Sequence, residues 1–373
     1  MEEKSILSNK KNIIKIERNP GIDLLRIIAM FAIVLHHVLY QGKVLSKYKY
    51  YNSLNLIDTS CYFHISNFGM ISGIVGSKTN KYSNLIYIWF WTLFYSVGIH
   101  FIFKIFKDNF TQKYKSINFF LPVVFEKYWY ITKYFGMYLF LPLINKGLSN
   151  IKQNELKIIV LSINLILFTY KDLILDNDDP FVLQSGYSPL GLLIFYLTGN
   201  YLGKYYIVQN KNKKFFFYLI CIISYFSSSY LCYYISFYDN KNINLFIYIL
   251  KKLFTLRINS LSMIIQSISL ILIFTQIKYN KYISKIVTFL GPLTLGIYLI
   301  HCHEYMFINV IFKLFKNYDN ILAFKTIIYL VILKSIGIFF ICIILDYFRY
   351  LIFKALKIRN ICNFIDKKLQ SIS

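Results

Sequence analysis

The chain has 373 residues, of which 57% are hydrophobic and 16% are charged. Its mean hydropathy is +0.49, which excludes an ordinary soluble domain and predicts a polytopic membrane protein. The net charge of +25 does not indicate nucleic-acid binding, because the basic residues lie in short clusters between apolar runs, as in the cytoplasmic loops of membrane proteins. The six cysteines include no Cys-x-x-Cys pair and predict small buried side chains rather than disulfides or a metal site.

The first apolar segment carries ionisable groups. Asn19 is a good N-cap and Pro20 suits the first helical position, so a helix is predicted to begin there. The apolar run 22–40 is long enough to cross a hydrocarbon core of roughly 30 Å. At about 100° and 1.5 Å per residue, Arg26 and His37 lie within about 20° of each other around the helix and about 16 Å apart along it.

This placement of Arg26 and His37 on one stripe indicates a functional helix. Charged groups within a membrane span are costly, so both are expected to face a protein-lined or watery cavity. Two structural alternatives stay open at this point. Arg26 can snorkel to the cytoplasmic interface, and His37 can be a hydrogen-bonded core histidine. His36 lies about 80° off this stripe.

Ten apolar segments predict an all-α, polytopic membrane fold with about ten transmembrane helices. The segments are approximately 22–40, 61–77, 83–106, 128–145, 157–170, 188–207, 215–237, 258–277, 286–312 and 324–348. Basic tails at 1–18 and 349–373 predict that both termini are cytoplasmic, which agrees with an even number of spans. With no internal repeat and no appended soluble domain in the sequence, residues 1–373 are predicted to form one domain of a multi-pass cell-membrane protein.

Two segments contain residues that suit substrate contact. In the second span, Gly69 and Gly73 form a small-xxx-small face, which predicts close helix packing, and Ser72 precedes the second glycine. The fourth span opens on an aromatic run that includes Trp129 and Tyr130. Tyr and Trp gather at membrane interfaces, so an interfacial belt is one interpretation of this run, and a surface that stacks on sugars is the other.

The ninth span contains a second intramembrane histidine. Tyr298, His301 and Tyr305 are spaced at three and four residues, so they are predicted to share one helical face. A metal site on the run His301-Cys302-His303 is not expected, because neighbouring residues on a helix do not face each other. We interpret His301 as a substrate-contacting or proton-relay group.

The last span ends with two opposite charges. Asp346 and Arg349 are three residues apart, which predicts a structural ion pair on one face of the helix. A glycine-rich phosphate loop, a Gly-x-Ser-x-Gly turn and a Cys/His protease arrangement are all missing from the sequence, so it gives no support to those chemistries.

Several of these segments also carry a family resemblance. The run Leu-Leu-Arg-Ile-Ile-Ala-Met-Phe-Ala-Ile-Val-Leu-His-His at 24–37 resembles the first helix of the acyltransferase-3 family, integral membrane enzymes that acylate sugars of cell-surface glycans. Its signature pair is an arginine followed after ten residues by a histidine. The Phe-x-x-Ile-Ser-Gly segment at 68–73, the aromatic run at 128–145 and the Gly-x-Tyr-Leu-x-His run at 296–301 resemble other motifs of the family.

Two positions depart from the family pattern. Ser66 stands where many members carry Asp or Asn, and Gly191 stands where a Trp is common. A hydroxyl forms hydrogen bonds but carries no charge, and the loss of an indole alters one wall of a pocket. These departures keep open a third possibility, a catalytically silent sensor built on the same fold.

The resemblance implies an O-acyltransferase that uses cytoplasmic acetyl-CoA, or another acyl-CoA, as co-substrate, with no permanently bound cofactor and no metal. The catalytic residues are expected to be His37, as general base or transient acyl carrier, and Arg26, which contacts the phosphate or acyl carbonyl of the donor. The expected substrate-binding residues are Ser72, Trp129, Tyr130, Tyr298 and His301. The expected partners are the lipid bilayer, the acyl-CoA and a glycan or lipid-linked saccharide acceptor. A transporter or flippase that uses the intramembrane Arg and His groups is the alternative function.

Overall fold

The computed structural model of the protein describes residues 18–49, 51–76, 81–106, 115–174, 178–207, 215–236, 244–318 and 322–372. Within these ranges the fold is all-helical and contains no strand. Most of the basic N-terminal tail, on which the predicted orientation depends, lies outside the described residues.

Fifteen α-helices of six residues or more follow one another in the described part of the chain. They are α1 Pro20–Leu39, α2 Asn52–Cys61, α3 His64–Gly76, α4 Tyr82–Phe106, α5 Trp129–Asn150, α6 Gln153–Ile163, α7 Pro189–Leu202, α8 Phe215–Ser236, α9 Leu245–Leu253, α10 Leu261–Gln276, α11 Lys281–Leu290, α12 Thr294–His301, α13 Glu304–Asn309, α14 Phe324–Ala355 and α15 Ile358–Ile372. Helices α6 and α7 continue as π-helix over Asn164–Tyr170 and Gly203–Ile207. Single turns lie at Val44–Lys47, Ile117–Phe120, Lys171–Ile174, Gln184–Gly186, Gly291–Leu293 and Ile311–Lys313.

Each of the ten predicted spans coincides with a helix or with consecutive helices. Among the described residues, five helical segments are long and apolar enough to cross a membrane by length and composition: Pro20–Leu39, Tyr82–Phe106, Phe216–Ser236, Lys281–His301 and Phe324–Ala355. The others are shorter or more polar. The all-helical, multi-pass character of the fold is confirmed, and the count of ten spans and the cytoplasmic termini stay predictions.

Helix α1 begins where the sequence predicts. The Asn19 side chain accepts a hydrogen bond from the Gly21 backbone N–H at 2.9 Å, and Pro20 occupies the first turn. Asn19 Nδ2 also donates to the Thr275 carbonyl oxygen at 2.9 Å, which ties the start of α1 to the end of α10. A Cβ on Gly21 would lie 1.8 Å from the Phe274 carbonyl oxygen, so this approach requires glycine.

Helix α1 lies at the centre of the molecule. It packs against α2, α3, α10, α11, α12 and α14. In the apolar 18-residue stretch of α1, 56% is buried, whereas the corresponding value in α14 is 33%. Most of this stretch of α1 is therefore covered by other parts of the protein. Among the ionisable groups of α1, Asp23 is buried in this packing, whereas Arg26, His36 and His37 are partly exposed.

Close packing of α3 against α7 confirms the predicted role of the glycine face in the second span. A Cβ on Gly73 would lie 1.9 Å from the Tyr196 carbonyl oxygen. In the opposite direction, a Cβ on Gly199 would lie 1.9 Å from the Met70 carbonyl oxygen. The two backbones thus touch, as small-residue faces allow in membrane helices.

The predicted ninth span is bent. Helix α12 ends at His301, the chain turns at Cys302, and His303 Nδ1 accepts a hydrogen bond from the Tyr305 backbone N–H at 3.2 Å to cap α13. The Tyr305 hydroxyl lies 3.0 Å from His100 Nδ1. The prediction that Tyr305 shares the helical face of His301 is therefore wrong, because it assumed an unbroken helix.

The predicted ion pair in α14 is confirmed, and it is fully buried. Arg349 Nη2 donates to Asp346 Oδ2 at 2.6 Å, with 2% and 0% of the two side chains exposed. Trp91 Nε1 and the Tyr95 hydroxyl donate to Asp346 Oδ1 at 3.0 and 2.9 Å. The pair therefore joins α14 to α4, and α14 continues beyond the predicted end of the last span.

We expect Asp346→Asn to destabilise the folded protein by roughly 3–5 kcal/mol, because the Arg349 guanidinium is then buried without a counter-charge. Thermal unfolding of the purified protein in detergent measures the change. The double variant Asp346→Leu, Arg349→Met removes both charges and should recover most of the lost stability. An Asp346→Asn protein with the unfolding temperature of the parent would contradict this role of the pair.

Candidate active site

Arg26, near the N-terminal end of α1, shares a buried carboxylate with a second arginine. Arg26 Nη1 donates to Asp23 Oδ1 at 3.0 Å, and Arg18 Nε donates to Asp23 Oδ2 at 2.6 Å. The Asp23 side chain is 1% exposed and the Arg26 side chain is 26% exposed. One carboxylate thus holds two guanidinium groups, which leaves one positive charge uncompensated and partly open to an anionic ligand.

At the other end of the stripe, α1 and α12 bring two histidines together. His37 Nδ1 lies 3.1 Å from His301 Nε2, and His301 Nδ1 lies 2.6 Å from the Ile297 carbonyl oxygen. Because a carbonyl oxygen only accepts, His301 Nδ1 carries a proton and donates it. Neutral His301 then offers Nε2 as an acceptor, so His37 Nδ1 is the donor. Neutral His37 is left with a free lone pair on Nε2.

These hydrogen bonds prepare His37 as a proton acceptor. In Ser-His-Asp triads, a partner on one imidazole nitrogen fixes the tautomer so that the other nitrogen accepts the proton. Here a neutral imidazole, itself held by the Ile297 carbonyl, takes the place of the carboxylate. His37 is partly exposed and His301 is 2% exposed, so His37 is the more accessible of the two histidines.

A carboxylate–imidazole pair, Asp58 and His36, lies beside the two histidines, and the sequence reasoning overlooked it. Asp58 of α2 is 4% exposed and lies 2.8 Å from His36 Nδ1. The His36 ring is centred 5.6 Å from that of His37 and 5.8 Å from that of His64. The available signal was that Asp58 is the only acidic residue within positions 24–107.

The histidine row, defined here as His64, His36, His37 and His301, is continuous. Its successive ring centroids are 5.8, 5.6 and 5.2 Å apart. His64 is 5% exposed, and its two ring nitrogens have no hydrogen-bond partner among the described residues. A buried imidazole without a partner is available to a ligand or a proton.

Tyrosines connect this row to the aromatic run of the fourth span. Tyr298 of α12 is centred 6.4 Å from the His301 ring and 6.3 Å from the Tyr130 ring. Tyr130 in turn is stacked on Tyr134 at 6.2 Å. The structure therefore brings Tyr130, Tyr298 and His301 together with His37, as expected for a shared site.

Tyr298 and Tyr130 form an aromatic wall, and Tyr134 extends this wall towards Arg26. Tyr134 lies close enough to Ser72 of α3 and to Arg26 to interact with both electrostatically. Trp129 lies at the edge of this wall, because its ring is centred 5.6 Å from that of Tyr130 and 4.8 Å from that of Tyr187. Of the predicted substrate-binding residues, Ser72 therefore lies beside this wall, and Trp129 contacts it through Tyr130 without touching a histidine ring among the described residues.

The stripe between Arg26 and His37 is filled by side chains. Met30 and Ile33 lie on it and are 3% and 8% exposed. A cavity of about 610 Å³ borders α1 on its opposite side, between α2 and α8. Its lining along α1 is Ile28, Phe31, Ala32 and Leu35. The open cavity expected along the stripe is thus closed in this structure, and a ligand that joins Arg26 to His37 has to displace Met30 or Ile33.

Both departures from the family pattern are accommodated by packing. Ser66 is buried, and its hydroxyl lies 2.6 Å from Ser267 Oγ and donates to the Phe63 carbonyl oxygen, so it links α3 to α10. A Cβ on Gly191 would lie 2.7 Å from the Gly186 carbonyl oxygen. A Trp at position 191 would therefore require the backbone to move, because the structure leaves no room for a side chain there.

Cys302 approaches the histidine pair because α12 ends at His301. Its Sγ lies 3.3 Å from His301 Nε2 and 3.6 Å from His37 Nδ1. His303, by contrast, turns away and lies 3.3 Å from the Ser96 carbonyl oxygen. The sequence reasoning treated Cys302 as a small buried residue, since nothing in the sequence shows that the helix stops one residue earlier.

The acyltransferase-3 family model, described as an acyltransferase domain, matches residues 19–347. The matched range includes Arg26 and His37 on α1, the whole of α12 and most of α14. No curated protein and no solved structure matches the chain. Because the family model covers well over half of the sequence, the chain belongs to the acyltransferase-3 family of membrane acyltransferases.

Proposed function

We propose that the protein transfers an acetyl group from cytoplasmic acetyl-CoA to a hydroxyl of a glycan at the cell membrane. Family membership supplies the class of reaction, and the donor and the acceptor are our proposal. The observation that carries it is the series of hydrogen bonds from Ile297 through His301 to His37. A sugar hydroxyl is a weak nucleophile at neutral pH and needs a base. His37 Nε2 has the free lone pair and the exposure that such a base requires.

Arg26 suits the donor. CoA carries several phosphates, and the guanidinium retains a positive charge after Asp23 is shared with Arg18. Arg26 and His37 are about 16 Å apart along α1, and the extended arm of CoA likewise separates its phosphates from its thioester. Met30 lies in the way, and methionine is the side chain that repacks most readily around a ligand.

Tyr130 and Tyr298 suit the acceptor. Aromatic faces stack on the C–H surfaces of sugars, and these two rings lie next to the histidine pair. A sugar held against Tyr298 would present a hydroxyl towards His37. Ser72 and Tyr134 continue the same wall towards Arg26, so donor and acceptor would meet between the two ends of the stripe.

In the proposed transfer, His37 first accepts the proton of the acceptor hydroxyl and later returns it to the leaving CoA sulfur. The acceptor oxygen attacks the thioester carbonyl carbon while its proton passes to His37 Nε2, which forms a tetrahedral intermediate with a negative oxygen. Collapse of the intermediate breaks the carbon–sulfur bond, and His37 returns the proton to the CoA sulfur. The products are an O-acetyl ester and free CoA. His301 holds the His37 ring and stabilises its charged form.

Purified protein in lipid vesicles with radiolabelled acetyl-CoA tests the proposal. We expect label to appear on an added glycan acceptor, together with CoA release. Movement of glycan across the vesicle membrane without any dependence on CoA would favour a transporter instead. Binding of acetyl-CoA with neither transfer nor release would favour a catalytically silent sensor.

We expect His301→Leu to lower kcat roughly 100-fold, because His37 loses the acceptor that fixes its tautomer. His301→Gln keeps an acceptor oxygen near His37 Nδ1 and should retain activity within about tenfold of the parent. Initial rates across a range of pH measure both variants. Equal loss in the two variants, with an unchanged pH profile, would show that His301 only packs.

A further inference from the structure

We infer that His37, His301 and Cys302 form a binding site for Zn²⁺ or a similar borderline divalent metal ion. The three potential ligand atoms, His37 Nδ1, His301 Nε2 and Cys302 Sγ, all lie within 4.8 Å of one another. Imidazole nitrogen and thiolate sulfur are the ligands that zinc prefers in proteins. This assignment reverses the sequence-based expectation of no metal site, which considered only neighbours on α12 and not the approach of α1.

The spacing of the three atoms matches one face of a tetrahedron. Zinc–nitrogen bonds of about 2.0–2.1 Å and zinc–sulfur bonds of about 2.3 Å place neighbouring ligands roughly 3.4 Å (N···N) and 3.6 Å (N···S) apart. The observed distances are 3.1 Å between the two nitrogens, and 3.3 and 3.6 Å from sulfur to nitrogen. Shifts of a few tenths of an ångström would therefore let an ion bind all three atoms.

One ligand is already oriented for a metal. His301 Nδ1 donates to the Ile297 carbonyl oxygen at 2.6 Å, so Nε2 is unprotonated and its lone pair can bind a metal ion once His37 no longer donates to it. Metal-binding histidines usually make this kind of hydrogen bond with their second nitrogen. Three protein ligands leave the fourth tetrahedral position open to water or to an inhibitor.

The ligand set also determines which ions are excluded. Mg²⁺ and Ca²⁺ prefer oxygen ligands, and the nearby carboxylate of Asp58 is hydrogen-bonded to His36 instead. Binding of Zn²⁺ requires the Cys302 thiol to release its proton to solvent, so the affinity rises with pH. Neutral His301 coordinates without losing a proton, since its Nε2 carries a lone pair and no hydrogen.

Metal binding would prevent His37 from acting as the general base, a consequence that rests on the proposed function. To coordinate through Nδ1, His37 must give up the proton that it donates to His301. A neutral ring then carries its proton on Nε2, the atom proposed to accept the proton of the sugar hydroxyl. The bound ion thus reverses the tautomer of His37, so Zn²⁺ is expected to inhibit acetyl transfer.

Co²⁺ titration of the purified full-length protein tests binding without any need for activity. Tetrahedral Co²⁺ absorbs in the visible range, and a thiolate ligand adds a near-ultraviolet charge-transfer band. We expect both features in the parent protein and their displacement by Zn²⁺. Cys302→Ala should lose the charge-transfer band and bind about 100-fold more weakly or worse, since losing a direct ligand costs at least as much as losing an outer-shell partner. The matched control is Cys221→Ala, a buried cysteine of α8, which should keep both features.

The inhibition arm measures acetyl transfer against Zn²⁺ concentration. We expect inhibition that a chelator reverses, and in Cys302→Ala an inhibitory concentration about 100-fold higher. An absent charge-transfer band in the parent, or an unchanged band in Cys302→Ala, would overturn the metal site. Metal binding without inhibition, or activity that requires Zn²⁺, would overturn the tautomer switch alone. Absence of transfer under all conditions would count against the proposed function and leave the Co²⁺ result to decide the site.

Discussion

Replacing His37 with glutamine is expected to lower kcat for acetyl transfer by roughly 10²–10⁴-fold, the usual contribution of a general base. Glutamine keeps a polar side chain whose amide can donate to His301 Nε2, so the packing of α1 against α12 is retained. It has no titratable nitrogen that could accept the hydroxyl proton. Initial rates with radiolabelled acetyl-CoA in lipid vesicles measure the loss, and the amount of folded protein after gel filtration verifies insertion.

The matched comparison for His37 is the adjacent His36→Gln. His36 lies next to His37 but is hydrogen-bonded to Asp58 instead of His301. We expect this variant to lose no more than about tenfold in rate, because it alters the surroundings of the base and not the base itself. If His36→Gln is inactive while His37→Gln transfers acetyl groups normally, the Asp58–His36 pair and not the His37–His301 pair supplies the base.

Replacing Arg26 with methionine is expected to raise KM for acetyl-CoA and to lower kcat/KM by about 10- to 100-fold, since a hydrogen bond to a charged group contributes about 1.5–3 kcal/mol. The fold should tolerate the change, because Asp23 keeps Arg18 as a partner. Isothermal titration with a non-hydrolysable acetyl-CoA analogue measures the affinity directly.

Two further variants define the role of Arg26. Arg26→Lys keeps the charge but loses the planar fork of donors, so an intermediate affinity is expected. Arg359→Met removes another arginine, one whose side chain is hydrogen-bonded to Asn84, and should leave the affinity for acetyl-CoA unchanged. Parent-like affinity in Arg26→Met would exclude Arg26 from donor binding.

Local signals predicted much of this fold. The Asn19–Pro20 start of α1, the close packing at the Gly69/Gly73 face of α3 and the Asp346–Arg349 pair all follow from residues close together in sequence, and the structure confirms each of them. Helical periodicity also placed Arg26 and His37 on one stripe, because rotation per residue is nearly constant in an unbroken helix.

Features that depend on long-range packing were not predictable in the same way. The end of α12 at His301 has no proline or glycine to mark it, so the approach of Cys302 to His37 was invisible in the sequence. The pairing of Asp58 with His36 depends on how α2 folds back against α1. Burial of Met30 between Arg26 and His37 likewise depends on neighbouring helices rather than on α1 alone.

The distance along the chain between His37 and His301 has a consequence for how the enzyme is made. The two rings are separated by 264 positions, and nascent proteins emerge from the ribosome starting at the amino end. Helix α1 is therefore integrated into the bilayer long before its partner has been translated. Until α12 is in place, His37 has no imidazole partner, so under the proposed mechanism a partly synthesised chain is expected to transfer no acyl group. Under the same mechanism, a chain truncated upstream of α12 is expected to be inactive even if α1 is inserted in the membrane.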